Sequence, residues 1–548
     1  MERYLRWLRE VLRGPDADRA LAAERAIMRS AIASARDDEL EREQRRIAKR
    51  ADTIAIGERT EDAGGPFLAA LPELLAHMLV IGASGAGKSY LLLLLAMAAY
   101  AAGLPLVVID PKAEFAELLL DRLLPAFLAR LPPSEAQRAL ASIRVVDPFG
   151  RDALPPMNPL VRDPSIPIEV QALDVASCFD ATVDAGSGVR METILDWVLR
   201  LVIEVGGSFI TVRRALEEPP VLEGLVRQSR VRDVVSYFLN RWPNEPASSK
   251  LALLARIDRL LALPSSRLSL GADACVDFDA ALSGGITVVN VGNAPAGLTE
   301  LSAFWSTFVF TRLVRAVYRR PATGAGTRHA ITLIDEWQTC LTRPFASSME
   351  DVLARSRSRR CAFWLCNQQK AQVEKVSGSL WDIVAAQTAI HVLFRASIED
   401  ARAMRHVLPV SGRMRRPSPP PWAHAPAASP YLTASEEIEA RVSRVAQLPR
   451  QHAYWWDRRK SHAAVPLRTA TLDLPDPRRV PAALRAAVAR GAVARPASDL
   501  ARALDAEMRR LDQLARYGAG APAAPGAGGT TAPPKARKKH KGPGGLPW

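Results

Sequence analysis

The stretch LVIGASGAGKSYLLLLL, Leu79–Leu95, constrains the fold of this 548-residue chain more than any other segment. An apolar run, a loop of small residues ending in Lys88-Ser89, and a second apolar run follow one another directly. Gly82-Ala83-Ser84-Gly85-Ala86-Gly87-Lys88-Ser89 fits the pattern G-x-x-x-x-G-K-[ST] without a mismatch. Small residues let backbone N–H groups turn inward around phosphate oxygens, where a large side chain would block the approach. Lys88 is expected to reach the β- and γ-phosphates of ATP, and the Ser89 hydroxyl to ligate Mg²⁺. The flanking runs read as a buried strand before the loop and a helix after it, its N-terminal dipole facing the anion.

A phosphate loop needs an acid for the metal, and two apolar runs end in aspartate. PLVVIDPKAEF ends its strand at Asp110; HAITLIDEWQTC ends its strand at Asp335-Glu336. The second suits the chemistry: Asp335 would hold the Mg²⁺ shell, and Glu336 beside it would activate the attacking water as a general base. Such an arrangement places a further strand between the loop strand and the acidic strand. Asp110 then ends a neighbouring strand, with capping of the helix KAEFAELLLDRLL as its structural role.

Lys88 and Asp335 are too far apart in the chain for a compact core, so something is inserted. SIRVVDPFGRDALPPMNPL supplies one more strand and a proline-rich exit. From 165 to 281, apolar residues recur at spacings of three and four, the pattern of helices. GGITVVNVG then returns to a buried strand. The expected fold is α/β: a P-loop (RecA-like), mainly parallel sheet flanked by helices, with an all-helical inserted subdomain and a disordered basic C-terminal tail. The segments are 1–50 (N-terminal, helical), 51–164 (first part of the core), 165–281 (insertion), 282–412 (second part of the core), 413–430 (proline-rich linker), 431–475 (return of the core), 476–516 (helical) and 517–548 (tail).

After the acidic strand, MEDVLARSRSRRCAFWLCNQQ reads as a helix carrying Arg355, Arg357, Arg359 and Arg360, then a strand ending in Asn367-Gln368-Gln369. A polar residue at that strand end would lie beside the γ-phosphate. The arginines would reach a neighbouring subunit's nucleotide, line a DNA path, or simply solvate a helix end.

These segments, in order, resemble the type IV coupling proteins of conjugation and secretion, the TraG/TraD class within the HerA/FtsK group of P-loop ATPases. The carriers are IGASGAGKS, VVIDPKAEF, VVDPF with MNPL after it, the helical insertion, LIDEW, LARSRSRRCAFWLCNQQKAQV, LFRASIEDARAM and LPRQHAYWWDRRK, spread over roughly 52–470. The resemblance implies a homo-hexameric, ATP-hydrolysing motor that delivers DNA to a secretion channel, with a relaxase or channel proteins as partners. It also implies an arginine acting in trans, matched by Arg357 with Arg355 as fallback, and a strand-end glutamine, matched by Gln368. A HerA-like motor for DNA processing or defence, and a receptor for protein substrates with ATP-gated docking, are the alternatives.

The formal net charge of +15 favours an anionic partner such as nucleic acid. Cys178, Cys275, Cys340, Cys361 and Cys366 show neither metal spacing nor a paired framework, which suits a reducing cytoplasm. The longest apolar stretch, Tyr90–Ile109, starts at the phosphate loop and is broken by Gly103-Leu104-Pro105, so it reads as helix plus strand. No transmembrane helix is expected, whereas typical members of the resembling class begin with them. The expected location is cytoplasmic, with peripheral contact at the inner membrane or recruitment by a partner. The basic amphipathic segment Met1–Arg13 suits either membrane contact or docking on the core. The tail, with Lys535, Arg537, Lys538, Lys539 and Lys541, suits phosphate contacts or solubility.

Overall fold

Short runs of Val, Ile and Leu, too apolar for a half-exposed sheet, build the centre of an 11-stranded sheet covered on both faces. The computed structural model describes residues 42, 53–61, 64–180, 189–322, 327–341, 346, 349–412, 414–415, 430–460 and 464–519. The amphipathic segment Met1–Arg13, most of the linker 413–430 and the tail from 520 onward lie outside the described residues, while 517–519, expected in the tail, end the last helix.

The strands are β1 (Thr53–Arg59), β2 (Pro66–Ala70), β3 (Met78–Ile81), β4 (Leu106–Asp110), β5 (Ile143–Val146), β6 (Ala153–Leu154), β7 (Ile286–Asn290), β8 (Ala330–Asp335), β9 (Cys361–Asn367), β10 (Ile390–Phe394), β11 (His452–Asp457), β12 (Val465–Thr469) and β13 (Arg495–Pro496). The helices used below are α1 (Lys88–Ala101), α2 (Ile168–Asp180), α3 (Val189–Val205), α4 (Phe209–Glu217), α5 (Pro219–Gln228), α6 (Ala247–Leu260), α7 (Thr299–Arg319), α8 (Met349–Ser358), α9 (Ala434–Val445), α10 (Ala482–Arg490) and α11 (Ala497–Ala519).

The main sheet runs β2-β1-β12-β11-β10-β3-β9-β8-β4-β7-β5. From β10 to β5 every neighbour is parallel; from β10 back to β2 every neighbour is antiparallel. Alternate residues of the central strands enter opposite layers. Met78, Val80, Leu106 and Val108 pack with Leu91, Leu92 and Leu95 of α1, while Leu79, Ile81, Val107 and Ile109 pack with Phe304, Trp305 and Phe308 of α7. Stretches that read as uninterrupted hydrophobic runs are therefore two-faced strands.

Between β6 and β7 the chain is helical, and α2 to α6 share one apolar core with α7. The sequence VLEGLVRQSRVRDVVSYFLNRW, which reads as one helix, is divided: α5 stops at Gln228, and a second helix, Arg232–Ser236, runs into a π-helical turn, Tyr237–Arg241. The insertion is completed from far along the chain. Arg214 on α4 pairs with Asp512 on α11 at 2.7 Å, and Glu507 on α11 accepts hydrogen bonds from Ser208 and Thr211. Gly224 on α5 faces the Leu514 backbone so closely that an added Cβ would sit 3.1 Å from its carbonyl oxygen. The pairing of β13 with β6 secures the entry to α11.

Among the described residues no helix is long and apolar enough to cross a membrane. Tyr90–Ile109, the longest apolar stretch, is divided between α1 and β4.

Candidate nucleotide site

The phosphate-loop sequence turns sharply between β3 and α1 because two of its glycines adopt backbone angles that other residues rarely take. Gly85 has φ 71° and Gly87 has φ 116°. The loop is moored at both ends. Ala83 N–H donates to the Arg395 carbonyl at 2.7 Å, just beyond β10, and Gln451 N–H donates to the Ala86 carbonyl at 2.8 Å, just before β11. A Cβ on Gly82 would lie 2.6 Å from the Phe394 Cβ, so the first glycine is needed for packing as well. Lys88 opens α1 and is buried; its Nζ donates to the carbonyls of Gly82 at 2.6 Å and Ala83 at 3.1 Å. Ser84 and Gly85 are exposed at the loop tip, and Ser89 is half-buried one residue into the helix.

The sheet order places β9 between β3 and the acidic strand β8, with β4 on the far side of β8. This is the RecA-like order, and it separates the two aspartates. Asp110 is fully buried and accepts from the N–H groups of Lys112 at 2.9 Å and Ala116 at 2.8 Å. Burial raises its pKa against those bonds. Its carboxylate thus caps the turn and short helix that follow β4. Asp335 ends β8 half-buried, and its pKa is pushed up to about 6, first by burial, then by the charges of Asp110 and Glu336, with the Cys366 thiol and Lys88 acting the other way. The charges of Asp110 and Glu336 thus both bear on Asp335.

Glu336 has a left-handed backbone, φ 49°, and is 2% exposed. Its Oε1 accepts from Lys112 Nζ at 2.8 Å and its Oε2 from Gln338 Nε2 at 2.8 Å. No group of three or more His, Cys, Asp or Glu among the described residues forms a ready metal cage. Mg²⁺ takes one or two protein ligands and fills its shell with phosphate and water. Ser89 and Asp335 fit that role, since the crowding of carboxylates around Asp335 is what a divalent cation would relieve.

The remaining candidates are spread more widely. Gln368 is half-buried directly after β9, whose end touches the loop through Gly82 N–H and the Asn367 carbonyl at 3.4 Å. Asn367 itself is fully buried, and its Oδ1 has no hydrogen-bond partner among the described residues. Arg357 lies at the opposite end of the sheet. Its Nη2 donates to the Gln387 carbonyl at 2.9 Å, ahead of β10, and its charge acts on His77, ahead of β3. With β3 four residues long, about 13 Å separates that end from the phosphate loop, so Arg357 is outside its own chain's site. Arg355 pairs with Asp351 at 2.7 Å and stacks on Tyr318. Arg359 and Arg360 donate to the carbonyls of Arg320 and Thr327 and so tie down loops.

Two residues now at the site were not singled out from sequence. Lys112 stands inside DPKAE, and Gln338 lies two residues after Glu336. The signal for Lys112 was its place in that segment; pattern alone does not tell how far a side chain reaches.

Residues 54–216 match the sequence family described as helicase HerA, central domain. Among solved structures, the chain is similar to plasmid coupling protein TrwB in complex with ADP and Mg²⁺, with a TM-score of 0.49 and 15% identity over 78% of this chain and 91% of that one. It is similar to VirB4 of Thermoanaerobacter pseudethanolicus, with a TM-score of 0.49 and 13% identity over 77% of this chain and 98% of that one. A search of curated proteins finds no match.

Proposed function

We propose that the chain is an ATP-hydrolysing motor that engages DNA, working as a homo-hexamer and delivering DNA or nucleoprotein to a secretion or conjugation channel. The observation that carries the ATPase reading is the pairing of a complete phosphate loop with Glu336, a buried carboxylate at the end of the strand two places from β3. The loop amides and the N-terminus of α1 cradle the phosphates, and Lys88 turns from its own carbonyls to the γ-phosphate. Ser89 and Asp335 would hold Mg²⁺, which when bound would supply charge neutralisation at the phosphates. Glu336 accepts a proton from the attacking water, and Gln368 at the end of β9 lies where the γ-phosphate's loss would be felt. Arg357, at the far end of the sheet, serves a neighbouring subunit's nucleotide.

The DNA reading is supported by the net charge of +15 and by the match of residues 54–216 to a helicase domain. That match equally favours a second reading, a HerA-like motor for DNA processing. The large helical insertion and the ordered motifs around DPKAE and MNPL support the coupling role, with relaxase or channel proteins as partners and peripheral or partner-mediated contact with the inner membrane.

The deciding experiment is the ATPase rate with and without single- and double-stranded DNA, at several salt and protein concentrations. Stimulation by DNA of unrelated sequences that fades with salt is expected. An ATPase indifferent to DNA would leave the receptor for protein substrates as the better reading.

A further inference from the structure

Glu336 cannot serve as a base unless something fixes where its carboxylate points, and the structure supplies a clamp from two other segments. We infer that Lys112 is the positioning residue for Glu336; the inference rests on the ATPase reading above. Lys112 is held by its backbone. Its N–H donates to Asp110 at 2.9 Å, and Ala113 after it takes a left-handed φ of 68°. The pair is seated against Gly292 beyond β7, where an added Cβ would come within 2.4 Å of the Ala113 nitrogen and the Lys112 carbonyl carbon. This turn can therefore approach only a glycine, and it aims Lys112 from the end of β4 across the end of β8.

The Lys112 ammonium meets Glu336 Oε1 at 2.8 Å, while Gln338 holds Oε2 at 2.8 Å. One oxygen is thus fixed by a cation and the other by an amide, which sets the plane of the carboxylate. Glu336 is 3% exposed at its side chain and Lys112 is 42% exposed. A carboxylate this buried needs a charged or hydrogen-bonding partner, and among the described residues Lys112 is its ion-pair partner. Gln338 is also buried, and its Oε1 has no partner among the described residues.

The test is steady-state ATP hydrolysis by the full-length chain and its Lys112→Met, Lys112→Arg and Lys112→Met/Glu336→Gln variants, with binding of a non-hydrolysable ATP analogue measured alongside. Lys112→Met should lower kcat about 10- to 100-fold and leave KM and analogue affinity within about threefold, because misaligning a base costs rate and not binding. Lys112→Arg, which keeps the cation, should recover most of the rate. In the Glu336→Gln background Lys112→Met should add no further loss. An unchanged kcat, a rise in KM with kcat intact, a Lys112→Arg rate no better than that of Lys112→Met, or full additivity with Glu336→Gln would each overturn the inference. If the unmodified chain hydrolyses no ATP, the ATPase reading itself fails and takes this inference with it.

Discussion

Lys88 Nζ rests 2.6 Å from the carbonyl oxygen of Gly82, so the lysine that should meet phosphate is folded back on its own loop. The ammonium bridges the carbonyls of Gly82 and Ala83, and Lys88 is 6% exposed as a residue. Lys88→Ala removes both the cation and the contact that shapes the loop. Nucleotide affinity should fall at least about 100-fold, the scale of a lost buried charge-assisted contact of roughly 3 kcal/mol. Equilibrium binding of a fluorescent ATP analogue measures this directly.

Acid should loosen the sheet through His77. Its Nδ1 accepts from the Phe363 N–H at 3.0 Å, so Nε2 carries the proton donated to the Leu353 carbonyl at 2.8 Å. Burial lowers its pKa to about 4. A histidine held neutral in the fold contributes stability that is fully present above its unfolded value of about 6.5 and is lost as pH falls toward 4. The loss should reach about 2 kcal/mol by pH 5. Denaturant unfolding at pH 7.5 and pH 5 should show it, and His77→Gln should show a smaller acid loss. His391, lowered to about 3, adds a drop of the same sign.

The insertion should depend on the distant helix α11. Glu507 accepts from the Ser208 N–H at 2.9 Å and from the Ser208 and Thr211 hydroxyls at the start of α4. Glu507→Ala strands those donors and should cost about 2 kcal/mol. Thermal unfolding should shift down by several degrees while nucleotide affinity is unchanged.

Much of this was legible in sequence because it rests on local chemistry. The loop from Gly82 to Ser89 and the strand ending at Asp335 are written in consecutive residues, and the helical spacing from 165 to 281 is written in repeats. The choice of β8 over β4 rested on chemistry alone, since both strands read alike; the structure adds that β8 lies two places from β3 and that Asp110 accepts from the turn after β4. Contacts across the chain were not legible. Nothing local ties Glu507 to Ser208, Lys112 to Glu336 or Gln451 to the phosphate loop, because each depends on how sheet and insertion fold together. The antiparallel edge from β11 to β2 was missed for the same reason: β1 pairs with β12, from the other end of the core sequence.

Arg357 gives the assembly prediction. It lies a strand's length from its own phosphate loop, so any catalytic use of it requires a neighbour. Specific activity should rise with protein concentration. Subunits carrying Arg357→Ala, mixed with subunits carrying Glu336→Gln, should recover part of the hydrolysis that each lacks alone. Activity independent of concentration, with no recovery on mixing, would refute the trans assignment.

Glu336, the proposed base of the ATP-hydrolysing site, stands just past β8, the strand beyond β9. Glu336→Gln keeps the shape and the hydrogen-bonding reach of the side chain and removes only the proton acceptor. The direct measurement compares ATP binding with single-turnover hydrolysis in Glu336→Gln and Asp110→Asn. Glu336→Gln should bind ATP with near-normal affinity and hydrolyse it at least about 100-fold more slowly. Normal turnover in Glu336→Gln, with hydrolysis lost in Asp110→Asn, would contradict it.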